Sequence, residues 1–153
     1  MSYLLALGAV LLAGAGGVVW ARRQWMVVTV EGNSMSPTLH HGQRVVARRL
    51  HGSGHARSDI IVFLLTPEQR EAMAQGDDPV HRVKRVAAVA GDAVPDWARE
   101  ALGADEHTRV PPGKVVVSAD NAGRSQDSRQ LGYIDASTII GVVRQSGFAR
   151  DIP

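Results

Sequence analysis

The pattern of apolar and polar positions changes character once, near residue 25. From Tyr3 to Trp20 the chain carries no charge and reads Leu-Leu-Ala-Leu-Gly-Ala-Val-Leu-Leu-Ala-Gly-Ala-Gly-Gly-Val-Val through its middle. That run is about the length needed to cross a ~30 Å hydrocarbon core. Trp20 and Trp25 flank Arg22 and Arg23 at its end, the aromatic and basic border of a membrane interface. The pattern predicts one membrane-spanning anchor over residues 1–22 and a folded domain over 23–153. A cleaved signal peptide is the competing reading, but no Lys or Arg precedes the apolar run and no clean small-x-small site follows it. Counted by positive charge, Arg22 and Arg23 belong in the cytoplasm, and the chain after them with them.

After Trp25 the apolar residues come in short, β-branched runs. Val27 to Val30, Arg44 to Arg48 and Asp59 to Leu65 are separated by His40-His41-Gly42 and Gly52-Ser53-Gly54-His55, which predicts a compact antiparallel meander. Ile60 to Leu65 is continuous enough to be a core strand. Thr66, Pro67 and Gln69 form a helix start, with Thr66 as N-cap, Pro67 at the first helical position and Gln69 closing a capping box; Gly76 should end that helix. Val80 to Val89 is a further strand that stops at Gly91-Asp92. Pro95 to Leu102 predicts a short helix, Lys114 to Val117 a strand after the Val110-Pro111-Pro112-Gly113 turn, and Ile139 to Arg144 the last strand. The fold class is mainly β, with no internal repeat and no second domain.

Composition narrows the chemistry. Aromatics make up 5% of the 153 residues, so the core must be built from Val, Leu, Ile and Ala. Seventeen basic and fifteen acidic residues leave a net charge of +2, and the basic ones are scattered in pairs rather than gathered in the stripe that nucleic acid requires. With no cysteine there is no disulfide, thiolate metal site or cysteine nucleophile. His51 and His55 are four apart, but Gly52 and Gly54 between them argue for a loop and no third ligand is evident. His40-His41 reads as a turn, and no phosphate-binding glycine loop is present. No cofactor and no metal are expected.

The stretch with chemical content is Val30-Glu31-Gly32-Asn33-Ser34-Met35-Ser36-Pro37-Thr38-Leu39. A strand delivers the Ser34 hydroxyl to a sharp corner, where Gly32 and Asn33 tolerate the dihedrals that bring backbone N–H groups near an incoming carbonyl. Pro37 fixes the exit. Alone, the segment reads as a common loop with Ser34 as a turn cap. A serine nucleophile needs a base, and Lys84 is the candidate. To act so it must be neutral, and lowering its pKa from about 10.4 to near 8 costs roughly 3 kcal/mol. Burial supplies that shift, and Val83 and Val86 are the apolar neighbours in sequence. The alternative is that Lys84 and Arg85 are solvated strand charges.

Asn33-Ser34-Met35-Ser36-Pro37-Thr38, Lys84-Arg85 with Gly91-Asp92 beyond it, and Ala119-Asp120-Asn121 followed by Ser125-Gln126-Asp127-Ser128-Arg129 stand in this order behind one apolar N-terminus. Together they resemble bacterial type I signal peptidases, membrane-bound serine proteases with a Ser/Lys dyad. The resemblance implies the compact antiparallel β fold of that catalytic type. It implies Ser34 as nucleophile, Lys84 as general base, Ser125 as the serine hydrogen-bonded to the base, and Asp127 with Arg129 as an ion pair shaping the loop behind them. It also implies a substrate lying as an extended strand between Val28–Gly32 and Val80–Val83, touching Val28, Val30, Glu31, Val80, His81 and Arg82. Read from its own surroundings, His81 is an ordinary strand histidine.

The implied activity is removal of signal peptides from exported precursor proteins after small side chains at minus three and minus one. The implied setting is a monomer anchored in the lipid bilayer of the cell membrane, single-pass, with its catalytic domain on the extracytoplasmic face, against the reading of Arg22 and Arg23. Part of Ile60–Leu65 would then be core or a surface resting on lipid. Four features depart from the family pattern: Ala119 replaces a glycine, Ala122 stands where arginine is common, Gly32 stands where some members carry an oxyanion-assisting serine, and the Asp92–Val110 insert is short. With Gly32, backbone N–H groups, chiefly that of Ser34, are left to hold the oxyanion. Three alternatives accompany this reading: a maturation peptidase for one dedicated precursor, a self-cleaving Ser/Lys protease like the SOS repressors, and an inactive membrane-tethered accessory subunit.

Overall fold

The computed structural model describes residues 22–50, 54–73 and 81–144, together with Gly17 and Trp20. The expected anchor over 1–22 lies almost wholly outside these residues, as do His51, Gly76 and Val80. Among the described residues no helix is long and apolar enough to cross a membrane.

The domain is mainly β, one seven-stranded antiparallel sheet in the order β1-β2-β7-β3-β4-β5-β6. Its strands are β1 Trp25–Thr29, β2 Arg44–Arg49, β3 Ile60–Leu64, β4 His81–Val89, β5 Lys114–Ser118, β6 Ile134–Asp135 and β7 Ile139–Val143. The meander expected from sequence is thereby corrected: the last strand inserts between β2 and β3, pairing Val143 with Ala47 on one side and with Ile60 on the other. Gly141 makes the close approach to β2 possible, since a Cβ there would stand 3.1 Å from the Arg48 carbonyl oxygen and 3.3 Å from Ala47 Cβ.

β3 lies inside the sheet and is buried on both faces, so its run of apolar residues is core and not a lipid-facing surface. Ile61 and Phe63 pack with Val86, Val115, Val117, Leu131, Ile134 and Ile139. Ile60 and Val62 pack with Val30, Met35, Leu39, Val45, Ala47 and Val143. Met35 follows Ser34 directly and Leu39 stands five residues on, so the turn that carries the hydroxyl is fastened by its own apolar residues. Burial of each such side chain contributes about 1.5–3 kcal/mol.

Among the described residues after β1, three short α-helices and two 3-10 turns complete the domain. Thr66 and Gln69 form the expected capping box at α1, Pro67–Met73, through bonds of 3.0 and 3.3 Å. α2, Asp96–Leu102, occupies the short insert after Asp92, and Ala98 packs with Ala88, Val94, Val110 and Val116. α3, Ser128–Leu131, and the two-residue β6 were not expected from sequence. α3 begins at Asp127, whose carboxylate takes the Arg129 N–H at 3.0 Å while Gln130 Oε1 accepts the Asp127 N–H at 3.0 Å.

Candidate active site

β1 hands the chain to the Ser34 corner with a change of backbone direction at Gly32, whose φ is +77°. That region is open to glycine and strained for other side chains. Asn121, in the segment after β5, holds the corner: its backbone N–H donates to the Ser34 carbonyl at 3.0 Å and its Nδ2 to the Asn33 carbonyl at 3.2 Å.

Lys84 stands in β4 opposite Ile61 of β3. It shares its face of the strand with Val86, and only 3% of its surface is exposed. Val83 lies on the other face, so Val86 is the apolar neighbour that matters. Lys84 Nζ meets Ser34 Oγ at 2.6 Å. Burial, with a smaller contribution from the nearby Arg82 cation, lowers its pKa from 10.5 to about 8, against the opposing pull of Asp127 and Asp120. Such a shift corresponds to about 3 kcal/mol at ~1.36 kcal/mol per unit. The solvated alternative for this Lys-Arg pair is therefore excluded for Lys84, and Arg85 is not free either. Arg85 grips Asp120 with Nε on Oδ1 at 2.8 Å and Nη2 on Oδ2 at 2.7 Å, and Nη1 reaches the Ser58 carbonyl at 2.9 Å. The Arg85 hydrogen bonds hold the Asp120 carboxyl below its ordinary range.

Behind the pair, Asp127 is 2% exposed and takes Arg129 Nε at 3.0 Å and Nη2 at 2.9 Å. The Arg129 guanidinium lies over the Trp97 ring of α2, 5.8 Å from its centroid. Ser125 is placed differently from the resemblance. Its hydroxyl donates to the Asn121 carbonyl four residues earlier instead of engaging Lys84, whose ammonium donates to Ser34.

An open groove of about 1150 Å³ runs past the Ser34–Lys84 pair. Val28, Val30, Glu31, Gly32 and Asn33 line one wall, His81, Arg82 and Val83 the other, with Ser125, Gln126 and Gln130 at the end. β1 is the edge strand of the sheet. Val30 directs both its N–H and its C=O toward Gln43 and Gly42, so alternation turns the main-chain groups of Thr29 and Glu31 to the open side. On the other wall, β5 pairs with β4 only from Arg85 onward. Val80, also named from sequence, is outside the described residues.

Sequence reasoning missed the Arg85–Asp120 clamp, the two Asn121 bonds and the Trp97 contact. The adjacency of Asp120-Asn121 to the Ser125–Arg129 stretch was the available signal, but nothing local says that Asp120 faces Arg85. Among the described residues no three His, Asp or Glu side chains are grouped to hold a metal ion. What the arrangement can do chemically is transfer a proton between a serine hydroxyl and an amine that is half neutral near pH 8. Among the described residues the Ser34 N–H has no hydrogen-bond partner, which leaves it available to an anionic oxygen at the same corner.

A family model described as "Signal peptidase, peptidase S26" matches residues 2–96 and 95–147. The chain is 31% identical over 137 residues to "Signal peptidase I" of Bacillus caldolyticus, covering 74% of each. It is 33% identical over 142 residues to "Signal peptidase I" of Bacillus licheniformis, covering 73% of this chain and 70% of the relative. It is also 28% identical over 130 residues to "Inactive signal peptidase IA" of Staphylococcus aureus (strain N315), covering 73% and 72%.

Proposed function

This chain belongs to the signal peptidase family, peptidase S26, and we propose that it is a serine endopeptidase that removes signal peptides from exported precursors. The observation that carries the reading is the 2.6 Å contact between Ser34 Oγ and a buried Lys84. Neutral Lys84 takes the Ser34 proton as Oγ attacks the scissile carbonyl carbon. The oxyanion is received by the Ser34 N–H. Collapse breaks the C–N bond, and the Lys84 ammonium protonates the leaving amine. Lys84 then draws a proton from water, whose oxygen attacks the acyl-enzyme and releases the new carboxylate and Ser34.

The substrate would add a strand in the groove, pairing with the outward main-chain groups of Thr29 and Glu31 and with the His81–Lys84 wall. Val28, Val30, Glu31, Val80, His81 and Arg82 are its proposed neighbours. The proposal includes the preference for small side chains at minus three and minus one that the resemblance implies. Ser125 supports this site through Asn121, and Asp127 with Arg129 through the field at Lys84. The apolar residues 1–22 would tether a monomer to the cell membrane with the domain on the outer face.

A second reading, an inactive accessory subunit, is favoured by the 28% identity to relatives named inactive and by Ala119 and Ala122. One assay separates the two. Detergent-solubilised wild-type protein is incubated with a signal-peptide-bearing precursor beside Ser34→Ala and Lys84→Ala. Site-specific cleavage by wild type alone supports the peptidase; an inert wild type on several precursors supports the accessory role.

A further inference from the structure

We propose that His41 is a positioning residue of the Ser34 corner, its imidazole taking the place of a backbone carbonyl that the β1–β2 hairpin fails to supply; the proposal rests on Ser34 acting as nucleophile. The regular ladder between the two strands ends at Thr29 and Arg44. One further contact follows, in which Val30 N–H donates to the Gln43 carbonyl and Gly42 N–H to the Val30 carbonyl, each at 2.8 Å. Two residues of the returning chain thus face one of the outgoing chain, with Gly42 at φ +80°, and the backbone register is spent there. Gly32, the next residue to turn its N–H toward that side, has no carbonyl opposite. His41 Nδ1 accepts it at 2.9 Å.

Gly32 has no side chain and stands at φ +77°, so the peptide planes on either side are fixed by hydrogen bonds rather than packing; a Cβ at Gly32 would meet nothing within 4 Å. The corner is then held at both ends, by His41 at Gly32 and by Asn121 at Asn33 and Ser34. Nδ1 can accept only in the neutral imidazole with its hydrogen on Nε2, so this contact also sets the tautomer. Finally, the Gly32 N–H is occupied, which leaves the oxyanion to the N–H of Ser34.

The test compares His41→Asn, His41→Gln and His41→Ala in the full-length chain. Asn places its amide oxygen where Nδ1 stands, whereas Gln places it nearer to Nε2. Precursor cleavage gives kcat and KM, and amide hydrogen exchange of nitrogen-15-labelled protein reads Gly32 directly. Ala and Gln should lower kcat about fivefold, the value of one neutral hydrogen bond, with KM unchanged. Both should lose protection at Gly32, and Asn should retain both properties. Wild-type kcat in His41→Ala, an Asn variant as impaired as Ala, or unchanged Gly32 protection in His41→Ala would overturn the proposal. An inert wild type would overturn the peptidase reading and this one with it, whereas an active wild type indifferent to His41 overturns this one alone.

Discussion

Lys84 Nζ and Ser34 Oγ stand 2.6 Å apart although fifty residues separate them in the chain. The amine is buried, and its pKa falls to about 8. The proposed role as base requires a neutral Lys84, so log kcat/KM should rise with slope one as pH increases toward 8 and level off above it. Lys84→Arg, which cannot lose its proton, should abolish cleavage at every pH. A profile flat from pH 6 to 9 would dismiss Lys84 as the base.

The same burial makes Lys84 a cost to the fold. Its folded pKa of about 8 lies below the unfolded 10.5, so between these values the unfolded chain binds more protons and stability rises with pH. The favourable contribution is complete above the unfolded pKa and is lost as pH falls through the folded one. Lys84→Met, which keeps the volume and removes the charge, should raise unfolding free energy at pH 7 by about 1–3 kcal/mol. It should also flatten the pH dependence between 8 and 10.5. Urea denaturation at pH 7 and at pH 10 measures both effects. Equal destabilisation of the variant at both pH values would show that Lys84 is not strained by burial.

The carboxylates around Lys84 give predictions of opposite sign. Asp120 raises the Lys84 pKa, so Asp120→Asn should move the activity limb to lower pH. It should also cost about 1–3 kcal/mol of stability, because the half-buried Arg85 loses its charge-assisted bonds. Cleavage itself should persist in Asp120→Asn, since neither reacting atom is touched. Shifts of the limb are read from kcat/KM profiles, and stability from chemical denaturation.

Arg129→Ala leaves the Asp127 carboxylate without its guanidinium partner. The unopposed charge should raise the Lys84 pKa and shift the limb to higher pH. Trp97→Ala, which removes only the ring beneath Arg129, should shift it the same way by less. Movement of Asp120→Asn and Arg129→Ala in one direction would refute the electrostatic account of this site.

These relationships differ in how far they were legible beforehand. The Ser34 corner, the Thr66/Gln69 cap and the β3 core run rest on signals within a few residues, and each is found where local chemistry places it. β7 between β2 and β3 was not legible, because several apolar runs could equally pair with β2 and only the whole sheet decides. α3 did carry a signal, Asp127 followed three residues later by Gln130, hidden inside a stretch whose polarity reads as loop. The Arg85–Asp120 clamp spans thirty-five residues, and spacing alone says nothing about it. Ser125 departs from the resemblance for a local reason: its hydroxyl finds the Asn121 carbonyl four residues back, a bond that serine side chains form readily with their own chain.

Asn121 ties these observations to a final prediction. Asp120 and Asn121 are adjacent, yet one grips Arg85 beside Lys84 and the other holds Asn33 and Ser34 itself. The dipeptide therefore sets the distance between two segments that share no other covalent or ladder connection at this point. Asn121→Ala removes the Nδ2 bond and keeps the backbone bond to Ser34, so the corner should loosen without detaching. The expected result is a fall in kcat of about fivefold with KM within about twofold, and a stability loss near 1 kcal/mol. Asn121→Asp keeps the size but presents an acceptor to the Asn33 carbonyl and adds a charge near Lys84. It should therefore lower kcat further and move the limb upward in pH. If Asn121→Ala cleaves at the wild-type rate, the backbone bond to Ser34 and the packing of Met35 and Leu39 suffice to hold the corner, and the side-chain bond is incidental.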